Sequence, residues 1–162
     1  MSSKRVLLHF GGVDYKTWVY VNDRLAGTHT GGSASFSFEI TQLLKPGQNE
    51  VVVHVFDDLR SGLQPGGKQA SDKSEGCDYT RTTGIWQSVW LEAVGSSYVE
   101  NISIVPDPDR SRVLIEATVN GDESRLTLKA EAFADGRPAG SDSVAGTGRH
   151  QRLVIDLSGK KL

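Results

Sequence analysis

The sequence predicts an all-β protein of the sandwich type. Short runs of alternating or β-branched residues recur along the chain, turn residues separate them, and no long segment has helical periodicity. Glycine is abundant, with 18 residues among 162, as expected of a chain that turns often. We therefore expect strands packed into sandwiches, and each run below is assigned on that basis.

The first half of the chain begins with three such runs. Residues 5–10 predict a strand. Residues 17–29 predict a hairpin that turns at Asn22-Asp23, because both residue types tolerate the positive φ of a two-residue turn. Residues 35–40 alternate strictly and predict a strand with one apolar face, made of Phe36, Phe38 and Ile40.

Two further runs complete this half. Residues 41–49 predict a short helical turn that ends at Pro46-Gly47. Residues 50–56, EVVVHVF, are almost continuously apolar and predict a strand buried on both sides.

Residues 57–83 break the pattern, since they are polar, rich in Gly and Ser, and without periodicity. Loops of this length in compact domains are usually functional or disordered. Strand character returns in residues 85–94, where Trp86 and Trp90 are four positions apart and are expected on the same face. We expect this segment to be chiefly a core strand.

Beyond residue 98 the strands carry smaller side chains. Two faces are predicted there, one made of Val113, Ile115, Ala117 and Val119 and the other of Leu126, Leu128, Ala130 and Ala132. We place a domain boundary near 95–98, which gives domains 1–95 and 96–162. The second has about five predicted strands, whereas an immunoglobulin-like sandwich has about seven, so we expect it to be partial.

The bulk composition excludes several classes. With a net charge of −2, the chain lacks the basic character of a nucleic-acid binder. No run approaches the ~18 apolar residues of a membrane span, and the first ten residues do not form a secretory signal. The single Cys77 permits no internal disulfide. The compartment stays unknown, with the cytoplasm favoured.

No catalytic or metal constellation stands out. The four His residues are scattered without ligand spacing, and no G-x-S-x-G elbow is present. Calcium on the carboxylates of the loops stays possible, although solvated turn carboxylates are favoured. We expect no catalytic residue, no metal and no cofactor.

Sugar binding is better supported. Sugar sites combine carboxylates, amides and Arg with exposed aromatic rings, and residues 64–81 supply such polar groups beside Tyr79, Trp86 and Trp90. The alternative for Trp90 is a core position, which is favoured. The alternative for Asp78 and Arg81 is a surface or loop-anchoring ion pair, which contributes little if exposed.

Several segments together resemble a known family. They are KRVLLHFGGVDYKTWVYVN, the Gly31–Ile40 run, LQPGGKQ and CDYTRTTGIWQSVWLE. Residues 4 to about 94 resemble the N-terminal sugar-binding domain of glycoside hydrolase family 2, which includes β-galactosidases, β-glucuronidases and β-mannosidases. The resemblance implies a jelly-roll (galactose-binding-like) β-sandwich, followed from Tyr98 by part of an immunoglobulin-like β-sandwich.

The resemblance also bears on activity. Family members are retaining glycosidases whose two catalytic glutamates lie in a later (β/α)8 barrel of ~250 residues. The chain has 162 residues, already assigned to strands, so we expect it to be inactive alone and truncated at both ends relative to the family.

The candidate substrate-binding residues are Asp78 and Arg81, which the resemblance assigns, and Tyr79, which its aromatic ring beside the polar loop suggests. In the family, an Asp six residues before the Gly of the GI strand contacts substrate hydroxyl groups, and Asp78 stands six before Gly84. Arg81 occupies a polar or basic position whose favoured role is to fix the loop. We expect a non-catalytic part of a carbohydrate-cleaving enzyme. The alternatives are a free-standing lectin-like carbohydrate-binding module and an interaction module that forms a homodimer through open sheet edges.

Overall fold

The structure is a computed structural model that describes residues 4–121, 126–146 and 148–159. Their regular structure consists of strands apart from two short 3-10 turns, which confirms the predicted all-β class. The chain forms two compact units, one of which is Arg5–Ala93 and the other of which contains Val94–Leu162. Within the described ranges, no helix has the length and apolarity required to cross a membrane.

The first unit consists of short strands. They are β1 Arg5–Phe10, β2 Val13–Asp14, β3 Lys16–Val21, β4 Arg24–Thr30, β5 Phe36–Glu39, β6 Val51–Phe56, β7 Gly84–Ile85 and β8 Val89–Val94. They are arranged in three sheets, with orders β5-β1-β8, β4-β3-β6 and β2-β7. A 3-10 turn at Thr41–Leu43 follows β5, as predicted.

The predicted hairpin is confirmed at β3–β4. Asn22 and Asp23 have φ of 49° and 65°, the left-handed conformation of a two-residue hairpin turn. The Asn22 side chain also donates to the Leu43 carbonyl and to Asn49 Oδ1, each at 2.8 Å. Asn22 thus serves the turn and also ties it to the segment that leads into β6.

The core of the first unit lies around β1 and β3. Its buried members are Leu8, Phe10, Val13, Val19, Val21 and Ile40. Phe36 and Phe38 pack against this core, and Phe36 stacks on Phe10 with ring centroids 4.9 Å apart. The predicted apolar face of residues 35–40 is therefore confirmed.

The prediction that residues 50–56 are buried on both sides is wrong. β6 pairs with β3 alone among the described strands, and its side chains alternate in burial. Val53 and Val55 pack against the core, whereas Val52 is 48% exposed and Phe56 is 52% exposed. A run of β-branched residues favours a strand, but it does not distinguish an edge strand from a central one.

The prediction of a continuous core strand over residues 85–94 is also wrong. β7 ends at Ile85 and β8 begins at Val89, so Trp86 lies outside any strand and does not share a strand face with Trp90. Trp86 is 58% exposed and Trp90 is 45% exposed. The break arises because the Gly12 carbonyl accepts from both Trp86 N and Gln87 N, at 3.2 and 3.4 Å.

Five strands form the described part of the second unit, with sheet orders β13-β10-β9 and β11-β12. Its core contains Ile115, Ala139, Leu153, Ile155 and Leu157, against which Val113, Leu128, Ala130 and Ala132 pack. The two apolar faces predicted from alternation therefore point to a core. The strands are β9 Tyr98–Asp107, β10 Arg112–Asn120, β11 Thr127–Ala134, β12 Arg137–Ala145 and β13 His150–Asp156.

Candidate functional site

Residues 57–83, between β6 and β7, form a loop that is ordered by hydrogen bonds and not by regular structure. Its two halves meet in a parallel bridge between Gln69 and Tyr79. Tyr79 N donates to the Lys68 carbonyl at 2.7 Å, and Ala70 N donates to the Tyr79 carbonyl at 2.8 Å. Ala70, beside this bridge, is buried.

The side chain of Gln69 anchors this loop to the sheet. Its Nε2 donates to Asp14 Oδ2 at 3.0 Å, and its Oε1 accepts from Thr82 N at 2.7 Å. Asp14 ends β2, and Thr82 lies just before β7. One amide therefore joins the first half of the loop to both strands of the β2–β7 pair.

Asp57 makes a second anchor where the loop leaves β6. Its carboxylate accepts from Thr83 Oγ1 at 2.9 Å and also from Gln64 Nε2. Because Asp57 and Thr83 stand at opposite ends of residues 57–83, this contact closes the base of the loop.

Asp78 lies at the exposed outer part of the loop. Its backbone is held, since Asp78 N donates to the Glu75 carbonyl at 3.1 Å and its carbonyl accepts from Ser74 Oγ at 2.9 Å. Its carboxylate has no donor within the described ranges. The backbone of Asp78 is thus held while its carboxylate keeps its capacity to accept hydrogen bonds.

The other two predicted site residues lie in the same loop with different surroundings. Tyr79 is 61% exposed, and its backbone forms the bridge to Gln69. Arg81 donates from a terminal guanidinium nitrogen to the Ser71 carbonyl at 2.9 Å. Among the described ion pairs, none joins Asp78 to Arg81. Asp78 and Tyr79 thus offer free polar groups, whereas Arg81 is engaged within the loop.

An open cleft of about 800 Å³ lies beside the base of the loop. Asp14 and Gly32 form one wall, Lys68 and Gln69 belong to the loop, and Trp86 lines the cleft near the end of β7. The sequence predicted Trp86 as a possible sugar-facing residue but pointed to neither Asp14 nor Gln69 by name. The missed signal was GGVDY before β3, where an acidic residue ends a very short strand between glycines and an aromatic residue.

The indole of Trp86 is held in place although it is exposed. Its Nε1 donates to the Gly32 carbonyl at 2.7 Å. The ring also lies against Gly12, where an added Cβ would meet Trp86 Nε1 at 2.8 Å. Any side chain at position 12 would displace the ring, so this glycine sets the position of the indole.

Asp14 is the one cleft carboxylate with a perturbed pKa. Partial burial raises the pKa of Asp14 above its ordinary 3.8, the negative charge of Asp57 raises it further, and the hydrogen bond from Gln69 partly opposes both. Oδ2 takes the Gln69 bond, while Oδ1 has no donor in the described part of the chain. The free oxygen lies toward Gly32, where an added Cβ would be 2.7 Å from it.

Metal binding finds no support in the geometry. The described residues contain no group of three or more His, Cys, Asp or Glu side chains that could hold a metal ion. Cys77 is a free, exposed thiol in the loop. The site is therefore a polar loop and cleft that offer hydrogen-bonding groups and aromatic surface.

Comparison with known proteins defines the class of this β-protein. Residues 1–94 match the profile described as glycosyl hydrolases family 2, sugar binding domain. The match covers more than half of the chain, which therefore belongs to this family of glycoside hydrolases. The resemblance noted from the sequence is confirmed.

Individual relatives agree with this membership. The chain is 32% identical over 123 residues to a β-galactosidase of Thermoanaerobacter pseudethanolicus, which covers 74% of the chain and 16% of that enzyme. Its fold is similar to Bacteroides uniformis β-glucuronidase 3, with a TM-score of 0.72 and 19% identity over 96% of the chain and 21% of the other. It is also similar to a β-glucuronidase from Ruminococcus gnavus in complex with D-glucuronic acid, with a TM-score of 0.67 and 22% identity over 96% of the chain and 28% of the other.

The chain is short relative to these proteins. It spans 15% and 16% of the lengths of the first two curated relatives it matches. What those whole enzymes do is therefore a guide to a proposal for this chain and not a property of it.

Proposed function

We propose that this chain forms the non-catalytic, sugar-binding part of a retaining β-glycosidase, in which Asp78 contacts substrate hydroxyl groups. Residues 1–95 supply the jelly-roll domain and residues 96–162 an immunoglobulin-like unit. The chain by itself carries out no hydrolysis. Its role is to shape the entrance of the active site and to brace the catalytic barrel.

The observation that carries this proposal is that hydrogen bonds hold the loop while the Asp78 carboxylate stays free. The Asp57, Gln69 and Arg81 contacts fix residues 57–83, so that little ordering remains when a ligand arrives. Asp78 has its backbone held and its carboxylate free. Preorganised acceptors of this kind bind more tightly than mobile ones because less conformational entropy is lost.

The proposal is tested in a chimaera. The chain replaces the matching segment of the Thermoanaerobacter pseudethanolicus β-galactosidase, and kcat/KM is measured with a nitrophenyl galactoside. Asp78→Ala is expected to lower kcat/KM about ten- to a hundredfold, since a hydrogen bond to a charged group contributes about 1.5–3 kcal/mol. Asp72→Ala, which removes another exposed carboxylate of the same loop, is the matched control and leaves kcat/KM unchanged.

Three outcomes contradict the proposal, two of them in the chimaera and one in the pure chain. One is a folded chimaera without activity, because the chain then cannot take the part assigned to it. Another is equal activity of the Asp78→Ala and Asp72→Ala chimaeras. Turnover of nitrophenyl galactoside, glucuronide or mannoside by the pure chain contradicts its non-catalytic role.

A homodimer through open sheet edges remains a prediction for the chain in isolation. β5 and β8 end one described sheet, and β4 and β6 end another, and unpaired strand edges recruit further strands. Light scattering of the pure chain is expected to give the mass of a dimer. A mass of 17.5 kDa, that of a single chain, contradicts this prediction.

A further inference from the structure

The cleft beside β2 has features of a ligand site that the role of Asp78 does not use. Its volume of about 800 Å³ lies within the roughly 300–1,000 Å³ of small-molecule sites. Neither Asp78 nor Tyr79 lines it. The groups that do line it come from β2, the segment after β4, both halves of the loop and the end of β7.

Trp86 supplies a rigid aromatic surface in this cleft. The indole is 58% exposed, yet its Nε1 is bound to the Gly32 carbonyl at 2.7 Å and its ring lies against Gly12. An exposed Trp without such contacts changes rotamer freely and loses that freedom on binding. A fixed indole beside a cleft can therefore accept the flat apolar face of a ligand at low entropic cost.

Polar groups surround this surface. Asp14 Oδ1 faces Gly32 and has no donor among the described residues. Lys68 lines the cleft from the loop, and the hydroxyl-bearing Thr82 and Thr83 line it just before β7. The set includes acceptors, donors and groups that do both. One carboxylate and one ammonium leave the lining without a large net charge, which favours a neutral ligand rich in hydroxyl groups.

Glycine keeps the space for such a ligand open. At Gly32 an added Cβ would lie 2.7 Å from Asp14 Oδ1 and would cover that oxygen. The neighbouring Gly31 has a φ of 129°, a conformation that only glycine adopts readily. Gly31 and Gly32 therefore let the chain turn past Asp14 without blocking it.

We propose that this cleft binds one pyranose ring of a glycoside, with the apolar face of the ring on Trp86 and its hydroxyl groups on Asp14 and the neighbouring polar groups. The inference concerns residues other than Asp78 and does not depend on the contact proposed for Asp78. The site is open to solvent, so binding in the millimolar range is expected.

The test uses the unmodified chain labelled with ¹⁵N. Its three tryptophans give three indole N–H signals, and Trp86→Phe identifies one of them by its loss. The chain is titrated separately with methyl β-D-galactopyranoside, methyl β-D-mannopyranoside and methyl β-D-glucopyranosiduronate. At least one is expected to shift the Trp86 indole signal to saturation, while Trp18 and Trp90 serve as internal controls and do not move.

Two comparison compounds define the ligand class. Sorbitol offers similar hydroxyl groups without a ring face and is expected to give no saturable shift. Adenosine offers a flat aromatic base, and tighter binding of adenosine than of every pyranoside would overturn the assignment. Saturable shifts of Trp18 or Trp90 in place of Trp86, or no saturable shift with any of the three glycosides, would overturn it as well.

Variants then locate the contacts. Trp86→Ala is expected to weaken binding at least about tenfold through loss of the aromatic surface. Gly32→Ala is expected to weaken it as well, because the added methyl covers Asp14 Oδ1. Asp72→Ala, in the exposed outer part of the loop, leaves the dissociation constant unchanged. Equal binding by Trp86→Ala and the unmodified chain contradicts the proposal, and the titration of the unmodified chain decides the matter if Trp86→Ala does not fold.

Discussion

Gln69 and Asp14 are joined by a hydrogen bond of 3.0 Å between residues 55 positions apart in the sequence. Oε1 of the same Gln69 side chain accepts a hydrogen bond from Thr82 N at 2.7 Å. The loop that presents Asp78 therefore depends on one amide for its attachment to the β2–β7 pair.

Gln69→Ala is expected to loosen residues 57–83 and to lower the free energy of unfolding by about 1–2 kcal/mol. Two hydrogen bonds are lost, and each contributes about 0.5–1.5 kcal/mol, somewhat more to a charged acceptor. Limited proteolysis checks the loosening, because cleavage within residues 57–83 is expected to be faster in the variant. Thermal unfolding followed by tryptophan fluorescence checks the stability.

Gln42→Ala is the matched control for this substitution. Gln42 is exposed, and only its backbone carbonyl takes part in a described hydrogen bond, from Arg24. Its replacement should leave both proteolysis and unfolding unchanged. Equal proteolysis of the loop in the two variants would show that Gln69 is not the anchor described here.

Gly27 is expected to tolerate no side chain. It lies in β4, and an added Cβ would be 2.2 Å from Cε1 and 2.5 Å from Cδ1 of Phe38, a ring packed against the core. Gly27→Ala should therefore lower the free energy of unfolding by about 1–3 kcal/mol through overpacking. Gly66→Ala is the control, because its nearest neighbour would be Leu59 Cδ2 at an ordinary 3.6 Å. Urea denaturation with equal midpoints for the two variants would contradict this prediction.

The raised pKa of Asp14 predicts a particular pH dependence. Burial and the charge of Asp57 raise the pKa of Asp14 in the folded chain above 3.8, so the folded state holds this proton more tightly than the unfolded state. The contribution of Asp14 to the free energy of unfolding is therefore greatest at low pH, and it falls as the pH rises from 3.8 through the pKa of the folded state. Asp14→Asn removes that fall.

We accordingly expect Asp14→Asn to be more stable than the unmodified chain at pH 7 and equally stable below pH 3.8. Urea denaturation followed by tryptophan fluorescence reports on the first unit, which contains all three tryptophans. A difference between the two proteins that does not vary with pH would contradict the pKa assignment.

Asp107, in the second unit, has a pKa shifted in the opposite direction, so its effect on stability has the opposite pH dependence. Its hydrogen bond from Arg112 Nε at 2.8 Å is the main cause that lowers the pKa of Asp107 below 3.8. The stability it contributes is thus present above 3.8 and is lost as the pH falls through the folded pKa. Asp107→Asn should show a deficit at pH 7 that shrinks in acid, measured by circular dichroism. A deficit that grows in acid would contradict this account.

The exposure of β6 can be tested at two neighbouring valines. Val52→Thr places a hydroxyl on a side chain that is 48% exposed and should change the free energy of unfolding by less than about 0.5 kcal/mol. Val53→Thr places the same hydroxyl against the core and should cost about 1–3 kcal/mol. Equal costs at the two positions would restore the view that β6 is buried on both sides.

The strands were predictable because their causes are local. Alternation alone places Phe36, Phe38 and Ile40 on one face, and the left-handed tolerance of Asn22 and Asp23 fixes the hairpin. Because these features depend only on residues close in sequence, they can be predicted from the sequence.

The errors at β6 and at residues 85–94 have nonlocal causes. Whether Val52 is covered depends on which strand lies beyond β6, and the break after Ile85 depends on the Gly12 carbonyl far back in the chain. The cleft was missed for the same reason, because Asp14 meets Gln69 only after the loop has folded back on β2. The resemblance to a family pointed to Asp78, but it carried no information about Asp14.

A double-mutant cycle in the chimaera tests the proposed contact between the Asp78 carboxylate and a substrate hydroxyl group. The cycle compares kcat/KM of the chimaera and its Asp78→Ala variant on nitrophenyl galactoside and on the series of its mono-deoxy analogues. The account predicts that Asp78→Ala slows the parent substrate about ten- to a hundredfold and has no effect on at least one analogue, the one that lacks the contacted hydroxyl. An equal loss on the parent substrate and on every analogue, or no loss at all, would contradict it.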